Sequence, residues 1–302
     1  APTGVILLGL TAALAVLFFL ATLYSRIGAL MEARRLQQEL RTAREVAREG
    51  YDAAIVLPNS WKSALLPFLA GIPRRIGFRG EARRGLLNRI HALDATALPQ
   101  LAQRYALLAE EIGTTAPAPL AAPHLEVDGN SVRATLAAHD LASTPAPVVF
   151  CPGAEYGPAK RWPAAHFAEL GRRLGQADFP VWIVGSARDA PIGAEIEQLS
   201  DGACRNLCGK TDLGQAIDLL SCARQVVSND SGLMHVAAAL GRPLVALYGS
   251  SSPGYTPPLS PRAKILTLNL ECSPCFKREC PLGHLRCLED LSPERVLEAI
   301  RD

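Results

Sequence analysis

The chain has 302 residues, of which 49% are hydrophobic and 20% charged, and its formal net charge is +2 at pH 7. This length accommodates two domains with separate cores, while the near-neutral balance gives no indication of a nucleic-acid partner, so we expect none. The eight cysteines lack the density of a small disulfide-rich fold and indicate a reducing compartment.

The first segment of the chain is apolar. Residues 4–24 contain no charged side chain, and about 20 apolar residues are the length needed to cross a bilayer. Basic residues begin at Arg26 and none precede it, which by the positive-inside tendency places the remainder in the cytoplasm. A membrane-spanning helix is the favoured interpretation, with a buried helix or an altered chain start as the alternatives. A cleaved signal peptide is disfavoured because no basic segment precedes the apolar run.

The next part predicts alternating helices and strands with a basic character. Residues 31–49 predict a helix that ends at Gly50, and residues 53–57 predict a short buried strand. Residues 58–63 are equally typical of a ligand-binding loop and of a proline turn with an N-cap serine. A helix is predicted around residues 98–112, and the arginines between Arg26 and Arg104 could face a phosphorylated or membrane-bound partner.

A change in composition marks the boundary between the two parts. Residues 113–147 are rich in Ala, Pro, Ser and Thr, which is typical of an interdomain connection. A short strand near residues 125–127 and a helix after Asn130 are predicted within it. The domain assignment is an apolar helix at 1–27 that is a candidate transmembrane segment, a partial α/β domain with its linker at 28–146, and a ligand-binding α/β domain at 147–302.

The second half of the chain has a regular pattern. Strands are predicted at residues 148–151, 181–184, 205–208, 226–227 and 244–248, and helices at residues 163–174, 191–199, 212–222 and after Ser231. Strands alternating with helices predict an α/β fold with a parallel sheet covered on both faces. Ligands of such sheets bind at the carboxyl ends of the strands.

The turn around Asp230 is the first candidate site. The run Ser228–Arg242 predicts the end of a strand, a tight turn and an alanine-rich helix. Asn229 or Ser231 could cap the helix, and Gly232 lets a ligand approach the free N–H groups of its first turn. An anion, most plausibly a phosphate, fits there, although an ordinary βα turn that satisfies its own helix end has the same pattern.

The loop at residues 151–163 is the second candidate site. It is rich in glycine and proline and carries Lys160 and Arg161 next to the start of a helix. Because both loops follow strands of one parallel sheet, two cations and two helix N-termini converge at the same edge and predict a pyrophosphate site. Either cation taken alone is more typical of a solvated surface residue.

Taken together, these motifs resemble a known family. The segments PGAEYGPAKRWP, SNDSGLMHVAAALGRPLVALYGSSSP, YDAAIVLPNSWKSAL and GIPRRIGFRGE are similar to those of the ADP-heptose:lipopolysaccharide heptosyltransferases, glycosyltransferase family 9, over roughly residues 34–302. The resemblance implies a GT-B-like α/β fold of two Rossmann-like domains with parallel sheets. The N-terminal domain would be incomplete and preceded by the apolar helix.

The resemblance also implies an activity and a location. Members transfer heptose, with inversion, from ADP-heptose to the inner core of lipopolysaccharide at the cytoplasmic face of the Gram-negative inner membrane. The chain is then a membrane-associated glycosyltransferase with an ADP-heptose donor and a lipopolysaccharide inner-core acceptor. Residues 4–24 would anchor it, and no cofactor is required for the chemistry.

Site residues follow from the matching positions. The resemblance implies that Lys160 contacts the donor phosphates and assists the departure of ADP, with Arg161 beside it. Asp230 would hold sugar hydroxyls, and Ser231 and Gly232 would offer N–H groups to the pyrophosphate. His235 could add a donor to the phosphate or serve only to pack the helix.

One feature of the family is missing from the sequence. Members begin with a strand that ends in a Gly-Asp motif, whose aspartate is taken as the general base; here the apolar run stands in its place. The general base is therefore unknown, because Asp52 lies at the wrong end of its strand and Glu155 is only a candidate. The alternative interpretation is a catalytically impaired, membrane-tethered remnant that binds ADP-sugar.

The last motif is a group of cysteines near the C-terminus. Cys272, Cys275, Cys280 and Cys287, together with His284, lie within sixteen residues. They could form a structural zinc site, although free thiols are at least as compatible with their irregular spacing. A disulfide is disfavoured in the cytoplasm.

Overall fold

The computed structural model describes residues 26, 28, 31, 34–116 and 119–301. Contacts divide the chain into two units, the first formed by Ala1–Leu98 and Ala102–Ala118 and the second by Pro99–Leu101 and Pro119–Asp302. The apolar run at 4–24 lies outside the described residues. Among the residues that are described, no helix is both long enough and apolar enough to span a bilayer.

The first unit contains a small parallel sheet in the order β1-β2-β3. Its strands are β1 (Ala53–Val56), β2 (Arg74–Phe78) and β3 (Arg89–His91). Its helices are α1 (residues 34–48), α2 (Trp61–Leu69) and, apart from its first residue, α3 (Leu101–Leu107). Ser60 caps α2 by accepting the N–H of Ser63, so the capping interpretation of this loop describes its local structure. Gly50, with φ of 68°, follows the first helix as predicted.

Strand β1 differs from its prediction as a buried strand. Ile55 is 48% exposed, and within the described chain β1 pairs with β2 only. Beside the strand, residues of α1, β1 and α2 line an open cavity of about 1110 Å³. Burial of β1 is therefore one-sided within the described part of the first unit.

The second unit contains a six-stranded, wholly parallel sheet in the order β6-β5-β4-β7-β8-β9. Its strands are β4 (Val148–Cys151), β5 (Val181–Ile183), β6 (Cys204–Asn206), β7 (Gln225–Asn229), β8 (Leu244–Leu247) and β9 (Ala263–Leu266). Its helices are α4 (Gly129–Ala138), α5 (Ala164–Gln176), α6 (Ala190–Leu199), α7 (Leu213–Ser221), α8 (Gly232–Ala239), α9 (Arg286–Glu289) and α10 (Pro293–Arg301). The predicted parallel α/β fold is confirmed for this unit.

The helices cover both faces of this sheet. One core contains apolar side chains of α5, α6, α9 and α10 against β4 and β5, and the other contains those of α7 and α8 against β7 and β8. Trp162 is fully buried, and its indole N–H donates to the carbonyl of Leu291 at 2.8 Å. This contact fixes the end of the loop between β4 and α5, which carries Lys160.

Helix α4 packs within the second unit. The predicted helix after Asn130 is present, but the predicted strand near residues 125–127 is not. The carboxylate of Asp218 on α7 accepts hydrogen bonds from the hydroxyls of Ser131, at 2.7 Å, and Thr135, at 2.8 Å. Because Asp218 is nearly buried, these two bonds attach to the second unit a helix whose composition is typical of a linker.

Candidate functional site

Four loops of the second unit meet at the carboxyl edge of its sheet, as the parallel topology requires. They follow β4, β5, β6 and β7 and surround a cleft of about 530 Å³. The side chains and backbone that line it are those of Cys151, Gly153, Ala154, Glu155, Gly185, Ser186, Ala187, Asp189, Thr211, Asp212, Leu213, Ala216, Ser231, Gly232, Leu233 and Val236. The cleft therefore combines an apolar wall from α7 and α8 with polar groups from the loops.

Lys160 and Asp230 form an ion pair beside this cleft. The distance from Lys160 Nζ to Asp230 Oδ2 is 2.6 Å, and the side chains are 17% and 5% exposed. The ammonium group also lies 5.1 Å from the centre of the Tyr156 ring. The structure thus brings together the two charged residues singled out in separate loops of the sequence.

The first turn of α8 is open to a ligand. Ser231 occupies the N-cap position, but its side chain makes no capping hydrogen bond. Capping by either candidate is therefore wrong, since Asn229 instead bonds the neighbouring loop at the N–H of Trp162 and the carbonyl of Pro152. Both Ser231 and Gly232 line the cleft, so the uncapped N–H groups of α8 face it and favour an anion.

The other two predicted binding residues lie near this pair. Arg161 donates from Nη2 to the carbonyl of Ala154 at 3.4 Å, and its Nε is buried without a partner. His235 is on α8; desolvation lowers the pKa of its imidazole, Asp230 raises it and Lys160 lowers it. A lowered pKa favours the neutral ring, which can donate one hydrogen bond to a phosphate oxygen without a full charge.

A second loop holds the turn that carries Lys160. A Cβ at Gly157 would lie 2.5 Å from the carbonyl oxygen of Arg278, so only glycine permits this approach. The same oxygen accepts the N–H of Ala159 at 3.0 Å, and the hydroxyl of Tyr156 donates to the carbonyl of Phe276 at 2.7 Å. The cysteine-containing loop thus braces the turn at its backbone.

Several residues of the cleft are absent from the sequence prediction. Asp189 accepts hydrogen bonds from the N–H and hydroxyl of Ser186, and a Cβ at Gly153 would lie 2.5 Å from the Asp189 carboxylate. The hydroxyl of Thr211 is buried without a partner at the cleft wall. The feature of the sequence that could have revealed these residues is their position, because each of them follows the carboxyl end of a predicted strand.

Asp52 and Glu155 are the two carboxylates considered as a general base. Asp52 precedes β1 at its amino end, as predicted. Glu155 lies at the cleft but pairs with Arg188, and both side chains are 76% exposed. Neither arrangement identifies a base within the described residues, and the general base stays unassigned.

The four C-terminal cysteines carry free thiols. Together with His284 they line a small internal space of about 20 Å³. Backbone N–H groups of residues 282–285 lower the pKa of the Cys280 thiol, whereas burial and the charges of the other three cysteines raise that of Cys287. In their present positions, no three metal-ligating side chains of the described chain form a ready coordination group.

Comparison with known proteins identifies a family. The model of glycosyltransferase family 9 (heptosyltransferase) matches residues 39–286. The chain is 47% identical over 278 residues to lipopolysaccharide heptosyltransferase 2 of Escherichia coli K12, covering 89% of this chain and 78% of that protein. It is 44% identical over 267 residues to lipooligosaccharide heptosyltransferase 2 of Haemophilus influenzae, covering 84% and 77%.

Solved structures give the same result. The E. coli ADP-heptose lps heptosyltransferase II matches with a TM-score of 0.77 and 44% identity over 88% of this chain and 80% of that one. A family 9 glycosyl transferase of Veillonella parvula, 24% identical over 88% and 77% of the two chains, shares the fold with a TM-score of 0.71. The predicted GT-B-like α/β fold is confirmed, and the chain belongs to glycosyltransferase family 9, the heptosyltransferase family.

Proposed function

We propose that this chain transfers heptose from ADP-heptose to the inner core of lipopolysaccharide, with inversion at the anomeric carbon. The observation that carries the proposal is the Lys160–Asp230 ion pair beside an uncapped helix N-terminus and a cleft of about 530 Å³. The names of the relatives, lipopolysaccharide and lipooligosaccharide heptosyltransferase 2, support the choice of acceptor, and that of the solved E. coli ADP-heptose lps heptosyltransferase II supports the choice of donor.

The cleft has the features that an ADP moiety needs. Leu213, Leu233 and Val236 offer an apolar wall for the base, while Thr211 and Asp189 offer polar atoms near it. The diphosphate then lies at the start of α8, where free N–H groups and the helix dipole stabilise negative charge.

Lys160 and Asp230 act at the reacting bond. When ADP leaves, the bond between the anomeric carbon and the phosphate oxygen breaks and negative charge grows on the diphosphate. The Lys160 ammonium stabilises that charge, and Asp230 accepts hydrogen bonds from the hydroxyls of the heptose. The acceptor hydroxyl attacks from the opposite face and releases its proton to a base that is not yet assigned.

We place this reaction at the cytoplasmic face of the Gram-negative inner membrane. The support is the acceptor, since an inner core that is still growing on its lipid lies at a membrane surface. Membrane fractions of cells producing the full chain should contain the protein in a form that high salt or detergent releases. Recovery only in the soluble fraction at low salt would contradict this location.

The decisive experiment measures binding and turnover in one preparation. ADP binding is followed by calorimetry, and ADP release is followed with ADP-heptose and a mono-heptosylated lipid acceptor. We expect binding together with release that depends on the acceptor. Binding without release would favour a donor-binding chain without catalysis, and the lack of both in a folded preparation would refute the proposed site.

A further inference from the structure

The loop that carries the four cysteines is long and irregular. Residues 267–285 form neither helix nor strand, and loops of this length inside a domain are usually functional or disordered. The cysteine group is attached at two points. The N–H of Phe276, next to Cys275, donates to the carbonyl of Ser250 at 2.7 Å, and Cys287, which follows the loop on α9, is 8% exposed in a core of the second unit. Leu268 and Leu270 pack against that core, but Phe276 and Leu282 in the cysteine-containing part are 46% and 61% exposed. This part of the loop therefore needs another source of order.

The space between the cysteines has room for one ion or one water molecule. It measures about 20 Å³, close to the volume that one water-sized probe occupies. Thiols line it, and sulfur ligands favour zinc over the hard cations magnesium and calcium. Four thiolates also match the number of ligands in a closed structural zinc site.

The fifth candidate ligand is already engaged. His284 Nδ1 accepts the N–H of Arg286 at 3.1 Å, so the neutral ring carries its proton on Nε2 and has no free lone pair for a metal. The four cysteines are therefore the complete ligand set.

We propose that Cys272, Cys275, Cys280 and Cys287 bind one Zn²⁺ ion, and that this ion holds the loop that braces the Lys160 turn. Because no three ligands already form a coordination group among the described residues, binding requires the thiols to rotate toward the shared space. Each cysteine releases its proton to solvent as it becomes a thiolate ligand. Zinc is neither oxidised nor reduced in this role.

The link to the Lys160 turn is a pair of contacts to backbone carbonyls. Arg278 lies between Cys275 and Cys280, and its carbonyl accepts the N–H of Ala159 at 3.0 Å. The carbonyl of Phe276, next to Cys275, accepts the hydroxyl of Tyr156. When zinc fixes the two cysteines, it also fixes the carbonyls that hold the turn.

The test combines metal analysis with hydrogen exchange on the full chain. Protein purified under reducing conditions is dialysed against a weak chelator, and its zinc content, free thiols and amide exchange are measured before and after zinc is returned. We expect one zinc per chain, four thiols protected from reagent, and at least tenfold slower exchange at the Ala159 amide with zinc bound. Cys280→Ser should lose the ion, and Cys222→Ser, a half-buried cysteine outside the group, should keep it.

Chelation of the wild-type chain keeps the test valid if Cys280→Ser does not fold. Reduced protein that takes up no zinc overturns the site, as does a disulfide among these cysteines or one iron per chain in place of zinc. One zinc per chain with unchanged exchange at Ala159 overturns the link to the turn. An effect on ADP affinity rests on the proposed function, but zinc content and amide exchange do not, so the two proposals can fail separately.

Discussion

Replacing Lys160 with methionine tests the contribution of its ammonium group to the stability of the chain and to the binding of ADP. Methionine keeps much of the apolar stem but removes the ammonium that lies 2.6 Å from Asp230. Asp230 is then a carboxylate, only 5% exposed, without its partner. We expect a loss of stability from the unpaired carboxylate and a loss of ADP affinity from the missing cation.

The two losses have different magnitudes and origins. Leaving one charge of a buried pair uncompensated costs about 3–5 kcal/mol, and the 17% exposure of Lys160 places this pair near the lower value of about 3 kcal/mol. A charge-assisted bond to a phosphate contributes about 1.5–3 kcal/mol, which corresponds to ADP binding weaker by roughly 10- to 150-fold.

A second substitution distinguishes them. In the double variant Lys160→Met with Asp230→Asn no charge is left unpaired, so most of the stability should return while ADP affinity stays low. Denaturant unfolding and calorimetric titration measure the two quantities, and Lys264→Met on β9, which removes an exposed ammonium bonded to the carbonyl of Ala299, is the control. ADP affinity that is unchanged in Lys160→Met, or restored in the double variant, would refute the role given to this lysine.

Three further changes test the fold around the site. Asp218→Ala leaves two hydroxyls on α4 without an acceptor and should lower the free energy of unfolding by about 2–4 kcal/mol. Denaturant unfolding measures this change, and an unchanged unfolding midpoint would contradict the anchoring of α4 by Asp218. Gly153→Val places a side chain against Asp189, because a Cβ at this position would lie 2.5 Å from the carboxylate. We expect ADP binding at least tenfold weaker by calorimetry. Normal affinity would show that the loop can move to accommodate the side chain. Burial lowers the pKa of His91 below its ordinary 6.5. The unfolded chain therefore binds this proton first as the pH falls, and the free energy of unfolding should decrease below pH 6.5. His91→Phe should flatten that part of the profile of unfolding free energy against pH, and an identical slope in both proteins would assign the effect to another group.

The fold of the second unit was accessible from the sequence because its signals agree with one another. The runs 148–151 and 244–248 are continuous and apolar, as strands buried on both faces must be, and each is followed by a glycine- or proline-rich loop. The Asp212 and Gln215 capping box at the start of α7 marks a helix independently of its apolar spacing. Parallel topology then placed the loops at one edge.

Other elements could not be predicted because tertiary contacts determine them. Strands β2 and β3 contain Arg74, Arg75 and Arg89. The guanidinium of Arg75 donates to the carbonyls of Ile72 and Leu86, and the sequence pattern does not show these contacts. Strand β9 contains Lys264 and an exposed Ile265, so no alternation of buried and exposed residues reveals it.

The charged residues of the candidate site were predictable from the sequence, but the polar residues that line the cleft were not. Lys160 and Asp230 stand in motifs with a chemical signal, and the structure joins them. Thr211 and Ser186 have no such signal, since a single hydroxyl after a strand is common, and only the closure of four loops around one cleft gives them a role. The direction in which Ser231 points was equally hidden, because serine at that position usually caps its helix.

The uncapped start of α8 also has a consequence for the choice of inhibitors. A helix without a cap forgoes roughly 1 kcal/mol, and a molecule that brings acceptor oxygens to those N–H groups recovers this energy on binding. Neutral nucleosides would fill the apolar wall of the cleft but leave these donors unsatisfied, whereas a diphosphate, or an uncharged group with two well-placed acceptors, would satisfy them. Compounds directed at this cleft should therefore be selected first for the acceptor groups that they bring to the N–H groups of α8. The fit of their apolar part to the cleft is the second criterion.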